Sequence, residues 1–90
     1  MVRVGKYEYA RSTRKHKKLM VKVDGKAIHF GDSREQHFKD RTGIFASQDH
    51  NDPERRKSYL RRTENIRNKE GKLTRDDPTS ANYHARRILW

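Results

Sequence analysis

One stretch, Leu19-Met20-Val21-Lys22-Val23-Asp24-Gly25-Lys26-Ala27-Ile28-His29-Phe30, constrains the fold more than any other part of the 90-residue chain. Leu19, Val21 and Val23 alternate with Met20, Lys22 and Asp24, the period of a strand buried on one face. Asp-Gly suits a two-residue type I′ turn, in which both central residues need positive φ. That turn pairs Val23 with Lys26, Val21 with Ile28 and Leu19 with Phe30. Leu19, Val21, Val23, Ile28 and Phe30 then share one face, so turn chemistry and hydrophobic pattern specify one register.

A two-stranded ribbon is barely stable in water and needs a further strand and a covering helix. Val2, Val4, Tyr7 and Tyr9 also alternate, which predicts a strand over about 2–10 joined to the hairpin by residues 11–18. Downstream, Asp52 is a natural N-cap, Pro53 suits the first helical position and Glu54 complements the helix dipole. Good helix formers continue to about Asn68, with Gly71 as the stop, and Tyr59, Leu60, Thr63 and Ile66 form a narrow apolar stripe. Asp77-Pro78-Thr79-Ser80 repeats the start signal ahead of a short helix over 80–90, docked by Tyr83, Ile88, Leu89 and Trp90. Residues 31–50 read as irregular, with a short helix near 33–38 and Phe38, Ile44 and Phe45 as anchors. The expected fold is one α+β domain over residues 1–90. It has a small antiparallel sheet of about three strands (2–10, 18–24, 26–30), a main helix over 52–68 and a short C-terminal helix.

Only 30% of residues are hydrophobic, against roughly 45–50% in typical domains on a count that includes glycine. The core must be thin. No cysteine is present, which excludes disulfides, thiolate metal sites and cysteine nucleophiles. Apolar runs stop at three residues, as in Leu19-Met20-Val21, too short for a membrane span or signal peptide. A soluble protein is expected, with no membrane association.

Lys and Arg number 23 against 12 Asp and Glu, a net charge of +11. Solubility alone asks for a magnitude of only about 2–8 in a small domain. The excess predicts attraction to polyanions that weakens with salt. It is concentrated twice. Arg11, Arg14, Lys15, Lys17 and Lys18 fall in one inter-strand loop with Ser12 and Thr13, whose hydroxyls can also reach phosphate oxygens. Arg55 and Arg62 lie two turns apart on one flank of the main helix. The competing readings are a loop charged to protect a sheet edge and a helix with a solvated arginine face.

Chemistry beyond binding has little basis here. The five histidines show no i,i+4 helical pair, so neither a metal nor any other cofactor is expected. His50-Asn51-Asp52 could suggest a nuclease, but a lone histidine beside a helix cap reads more simply as turn chemistry. Nucleophilic triads and glycine-rich phosphate loops are absent from the sequence. Tyr7, Tyr9 and Tyr59 could stack on bases, although core packing is their simpler fate.

Ser12-Thr13-Arg14-Lys15, Leu19–Val23, Ile28-His29-Phe30-Gly31-Asp32 and the block His50–Arg62 together carry a resemblance. The chain resembles a family of small basic proteins of unassigned function from tailed phages, cyanophages among them, and large DNA viruses. Asp77–Ser80 and Leu89-Trp90 extend the similarity across nearly the whole chain. The resemblance implies a viral setting, host-cell cytoplasm or virion, and no particular activity. The resulting expectation is a non-enzymatic protein that binds nucleic acid, DNA ahead of RNA, through phosphate contacts with weak sequence preference. The alternative is a protein–protein interaction module, either a virion component or an effector docking on an acidic host protein.

Overall fold

The turn at Asp24-Gly25 adopts φ of +51° and +79°, both positive as type I′ requires. In the computed structural model, which describes residues 1–90, this turn joins β3 (Lys17–Val23) to β4 (Lys26–Asp32). The register is the expected one: Val23 opposite Lys26, Val21 opposite Ile28, Leu19 opposite Phe30.

The expected first strand is two strands, β1 (Val2–Val4) and β2 (Tyr7–Arg11), reversed at Gly5. Gly5 holds φ +65° there, a conformation that favours glycine. The sheet is therefore four-stranded and antiparallel, in the order β1-β2-β3-β4.

Two helices complete the α+β fold: α1 (Pro53–Thr63) and α2 (Ala81–Ile88). Asp52 caps α1 as expected, and of the two candidate caps in Asp77–Ser80, Thr79 and Ser80, it is Ser80 that caps α2. The Asp52 carboxylate accepts from the amides of Glu54 and Arg55, and the Ser80 hydroxyl accepts from that of Asn82. The helices divide their work unexpectedly. The shorter α2 covers the sheet, adding Ala85 and Ile88, with the adjoining Leu89, to a core of Tyr9, Leu19, Val21, Val23, Ile28 and Phe30. The longer α1 buries only Thr63.

Helix α1 also ends earlier than residue 68, because distant groups claim its last carbonyls. Asn82 Nδ2 donates to Thr63 O at 2.9 Å, and Arg86 Nη1 donates to Leu60 O at 2.6 Å. Thr74 then takes Ile66 O with both its amide and its hydroxyl. Ile66 leaves the expected stripe and is 46% exposed. Gly71 serves a tight turn at φ +80°, where the Asn68 carboxamide accepts from the amides of Glu70 and Lys72.

Residues 33–38 form turns rather than the expected short helix. The segment is organised by buried polar groups instead. The Asp40 carboxylate accepts from Thr42 N, Thr42 Oγ1 and Phe45 N at 2.7–2.8 Å, which fixes the loop that delivers Ile44 and Phe45 to the core. His37 joins Lys18 on one side and Asp49 on the other.

Candidate nucleic-acid interface

Of the seven candidate cations, Arg11, Arg14, Lys15, Lys17, Arg55 and Arg62 are exposed. Lys18 is not, and its assignment as a phosphate contact is corrected. It is 2% exposed, with Nζ donating to Glu35 O at 2.6 Å and His37 Nδ1 at 2.8 Å. The Lys18 side chain packs over Gly31, whose φ is +78° and where a Cβ would come within 3.2 Å of Lys18 Cβ. Burial lowers the Lys18 pKa, while Asp40, Asp32, Glu35 and Asp49 pull it back up. Lys18 ties β3 to the 33–49 loop, a structural task.

The basic loop is held open by its own bonds. Ser12 Oγ accepts from Arg14 N at 2.9 Å and bonds His29 Nδ1 at 2.7 Å. Lys17 N donates back to Arg14 O, and His16 sits at φ +65° between them. Arg14, Lys15 and Lys17 thereby project to solvent from a tight turn. Arg11 differs from them, since its guanidinium lies over the Phe45 ring at 4.8 Å.

Lys17 and α1 meet across a groove of about 770 Å³, whose walls include Lys17, Arg55, Ser58 and Arg62. Lys17, the one exposed cation of the N-terminal cluster in the groove lining, thus shares one space with Arg55 and Arg62 of the second cluster. Arg55 is aimed by Gln36, whose Oε1 accepts from Nη1 at 3.0 Å. Ser58 was not among the sequence candidates, yet it lies three residues after Arg55 and four before Arg62, on the same side of the helix. That spacing was the available signal. Gln36 had none, since a turn in the 33–49 loop brings it there.

Acidic groups also line the groove: Asp32, Glu35 and Glu54. Asp32 is matched by Arg34 at 3.0 Å, whose hydrogen bonds hold its pKa well below the usual carboxylate range. Lys17, Arg55 and Arg62 then face Glu35 and Glu54, a modest local excess. The attraction for a polyanion comes from the rim and from the chain's net charge of +11 more than from the groove floor.

The aromatic rings pair with one another. Tyr59 stacks on Trp90 at 4.2 Å and 7°, and Trp90 contacts His50 at 5.2 Å. His50 meets Phe38 at 6.2 Å. Arg62 caps one end of this stack over Tyr59, and Arg56 caps the other over Phe38 while donating to Trp90 O. Tyr9 donates to His84 Nδ1 at 2.8 Å, and the opposite nitrogen of His84 donates to Pro78 O. Burial pushes the Tyr9 pKa up to about 12. Tyr7 packs edge-on against His84. Tyr9 is fastened in the core and Tyr7 packs against it, while Tyr59 and Trp90, stacked on each other, are half-buried and form part of the groove wall.

His50 and Asp52, the residues behind the nuclease reading, are used in the start of α1. His50 Nδ1 accepts from the Asp52 amide at 2.9 Å, while the Asp52 carboxylate caps the helix. No group of three or more His, Cys, Asp or Glu side chains is arranged to hold a metal ion, and no helix is long and apolar enough to cross a membrane.

No curated protein and no solved structure matches the chain. A family of unknown function, DUF5754, matches residues 8–63. The match runs from the second residue of β2 to the end of α1 and contains all seven sequence-nominated cations. Because it spans more than half of the chain, the protein belongs to the DUF5754 family.

Proposed function

We propose that this protein binds nucleic acid through the phosphate backbone, with little sequence preference, and acts by binding rather than by catalysis. The observation that carries this reading is the shared groove, lined by Lys17, the first residue of β3, and by Arg55 and Arg62 of α1. Arginine supplies planar forks for phosphate oxygens and lysine a mobile point charge. Arg14 and Lys15 are exposed on the adjoining turn, and Arg11 is exposed with its guanidinium over Phe45. Tyr59 and Trp90, the aromatic residues of the groove wall, stack on each other, which favours backbone contact over base stacking. DNA stands ahead of RNA in this proposal. The setting that goes with it is viral, host-cell cytoplasm or virion, on the strength of the family resemblance.

Fluorescence anisotropy of labelled duplex DNA, single-stranded DNA and RNA tests it. The expected result is saturable binding that weakens steeply with salt and varies little with sequence. An absence of saturation at physiological salt would overturn it.

A further inference from the structure

A second basic site lies at the C-terminal end of α2, apart from the groove. A pocket of about 240 Å³ is lined by Val4, Tyr9, Arg41, Arg86, Arg87 and Ile88. Three of the six are arginines, and none is acidic. The chain's ion pairs are Arg3–Glu8, Arg34–Asp32, His37–Asp49 and Arg75–Asp76, so none of these arginines is matched within the fold.

Their usual alternative at a helix end, capping carbonyls, is largely pre-empted. The backbone amides of Lys39 and Arg41 already donate to Leu89 O and Ile88 O, both at 3.0 Å. Arg86 is rigidly held, with Nη1 shared between Leu60 O and Thr63 Oγ1 at 2.6 and 2.7 Å. Its guanidinium is thereby directed toward α1. Arg87 lies over Tyr83 at 5.0 Å. The Tyr9 hydroxyl is occupied by His84, so the guanidinium groups supply the free polar character.

A sphere of this volume is roughly 8 Å across, no more than about the Debye length at physiological salt, so solvent ions screen its interior only partly. Its cations therefore repel one another when it holds no anion. The helix dipole offsets part of that repulsion, contributing roughly half a negative charge at this end.

We infer that this pocket binds a single phosphate group, either free inorganic phosphate or the terminal phosphate of a polynucleotide. One carboxylate, with a single charge and two coplanar oxygens, satisfies one arginine fork. A phosphate monoanion or dianion presents tetrahedral oxygens to forks arriving from the 39–41 segment and from α2. The volume is below the roughly 300 Å³ at which drug-sized ligands begin to be enclosed. The phosphate enters, and a nucleoside attached to it stays outside.

Isothermal titration of the full chain with inorganic phosphate, at ionic strength held constant with chloride, tests the site. Arg41 and Arg87 are exposed, so an Arg41→Gln/Arg87→Gln variant keeps the core intact. The expected result is one site, weakened about tenfold or more in that variant and unchanged in Lys17→Gln/Arg55→Gln/Arg62→Gln. A paired titration uses one single-stranded oligonucleotide with a 5′-phosphate or a 5′-hydroxyl. Tighter binding of the phosphorylated form, abolished by Arg41→Gln/Arg87→Gln, assigns the site to polynucleotide ends. Equal binding of the two forms, with inorganic phosphate still bound, assigns it to the free anion. The inference is overturned if phosphate gives no saturable signal above chloride, or if both variants lose it equally. Failure of the groove variant on duplex DNA bears on the proposed function alone.

Discussion

Neutralising Arg14 and Lys15 of the β2–β3 turn together with Lys17 at the start of β3 should change the salt dependence of DNA binding by a definite amount. Six candidate cations are exposed: Arg11, Arg14, Lys15, Lys17, Arg55 and Arg62. If each neutralises one phosphate, log K falls with log salt at a slope of about −0.9 per contact, or about −5.4. Between about 50 and about 200 mM salt the affinity then drops by about 10³-fold. With Arg14→Gln/Lys15→Gln/Lys17→Gln only three contacts remain, the slope falls to about −2.7, and the loss over the same window is about 40-fold. Lys18→Met is the internal control. Its ammonium is spent on Glu35 O and His37 Nδ1, so its loss should leave the slope unchanged. It should instead lower stability by about 1–3 kcal/mol for each buried acceptor left unpaired. Anisotropy titrations of a labelled duplex at four or five salt concentrations measure both slopes. A triple variant within about half a unit of the parent slope would refute the phosphate assignment of the loop. A Lys18→Met slope shallower by about one unit would refute the structural reading of Lys18.

Stability should fall as pH drops through about 6.5, the ordinary histidine value. Burial lowers the pKa of both His37, which faces Lys18, Asp49 and Asp40, and His84, which faces Arg87. The unfolded chain therefore takes up protons that the folded chain refuses, which costs about 1.4 kcal/mol per pH unit per histidine while the native rings stay neutral. Urea unfolding that is flat between about pH 7.5 and 5.5 would contradict this. At the alkaline end the sign reverses. Tyr9 is raised to about 12 from an ordinary value of 10.0, so the unfolded chain ionises first and stability declines over that interval. Gly31→Ala should destabilise by about 1–3 kcal/mol from its positive φ alone. The new Cβ would also sit 2.8 Å from Leu89 Cδ1, so a thermal midpoint lowered by less than about 4 °C would argue against the constraint. Tyr9→Phe leaves the buried His84 Nδ1 without its donor, at a cost of about 1–3 kcal/mol in chemical denaturation. An unchanged midpoint would show that this bond contributes little.

What could be read in the sequence was local. The β3–β4 hairpin is specified twice over, by Asp24-Gly25 and by period-two alternation, and the two signals agree. Asp52 and Ser80 cap their helices through amides two or three residues away, so their roles follow from near neighbours. The end of α1 was hidden because Asn82, Arg86 and Thr74 set it from 8 to 26 residues away. Lys18 was misplaced for a related reason. Its position in a run of basic residues suggested solvent, while Gly31 across the ladder and the 33–49 loop draw it inside. The groove follows the same logic. Each cluster was visible alone, but their convergence depends on how α1 rests on α2 and the chain's end.

Placing Trp90 between Tyr59 and His50 has an optical consequence. Trp90 is the only tryptophan in the chain, and its indole lies parallel to Tyr59 at 4.2 Å. Arg62, one of the groove cations, sits on the far side of that Tyr59 ring, at 5.5 Å. A polyanion that draws Arg62 away changes the electric field and packing along the stack. The indole emission should shift in wavelength or intensity without any label attached. The same signal reports whether α1 is seated, because the helix carries Tyr59 and buries little else. Occupancy and helix seating can therefore be followed by intrinsic fluorescence in one cuvette.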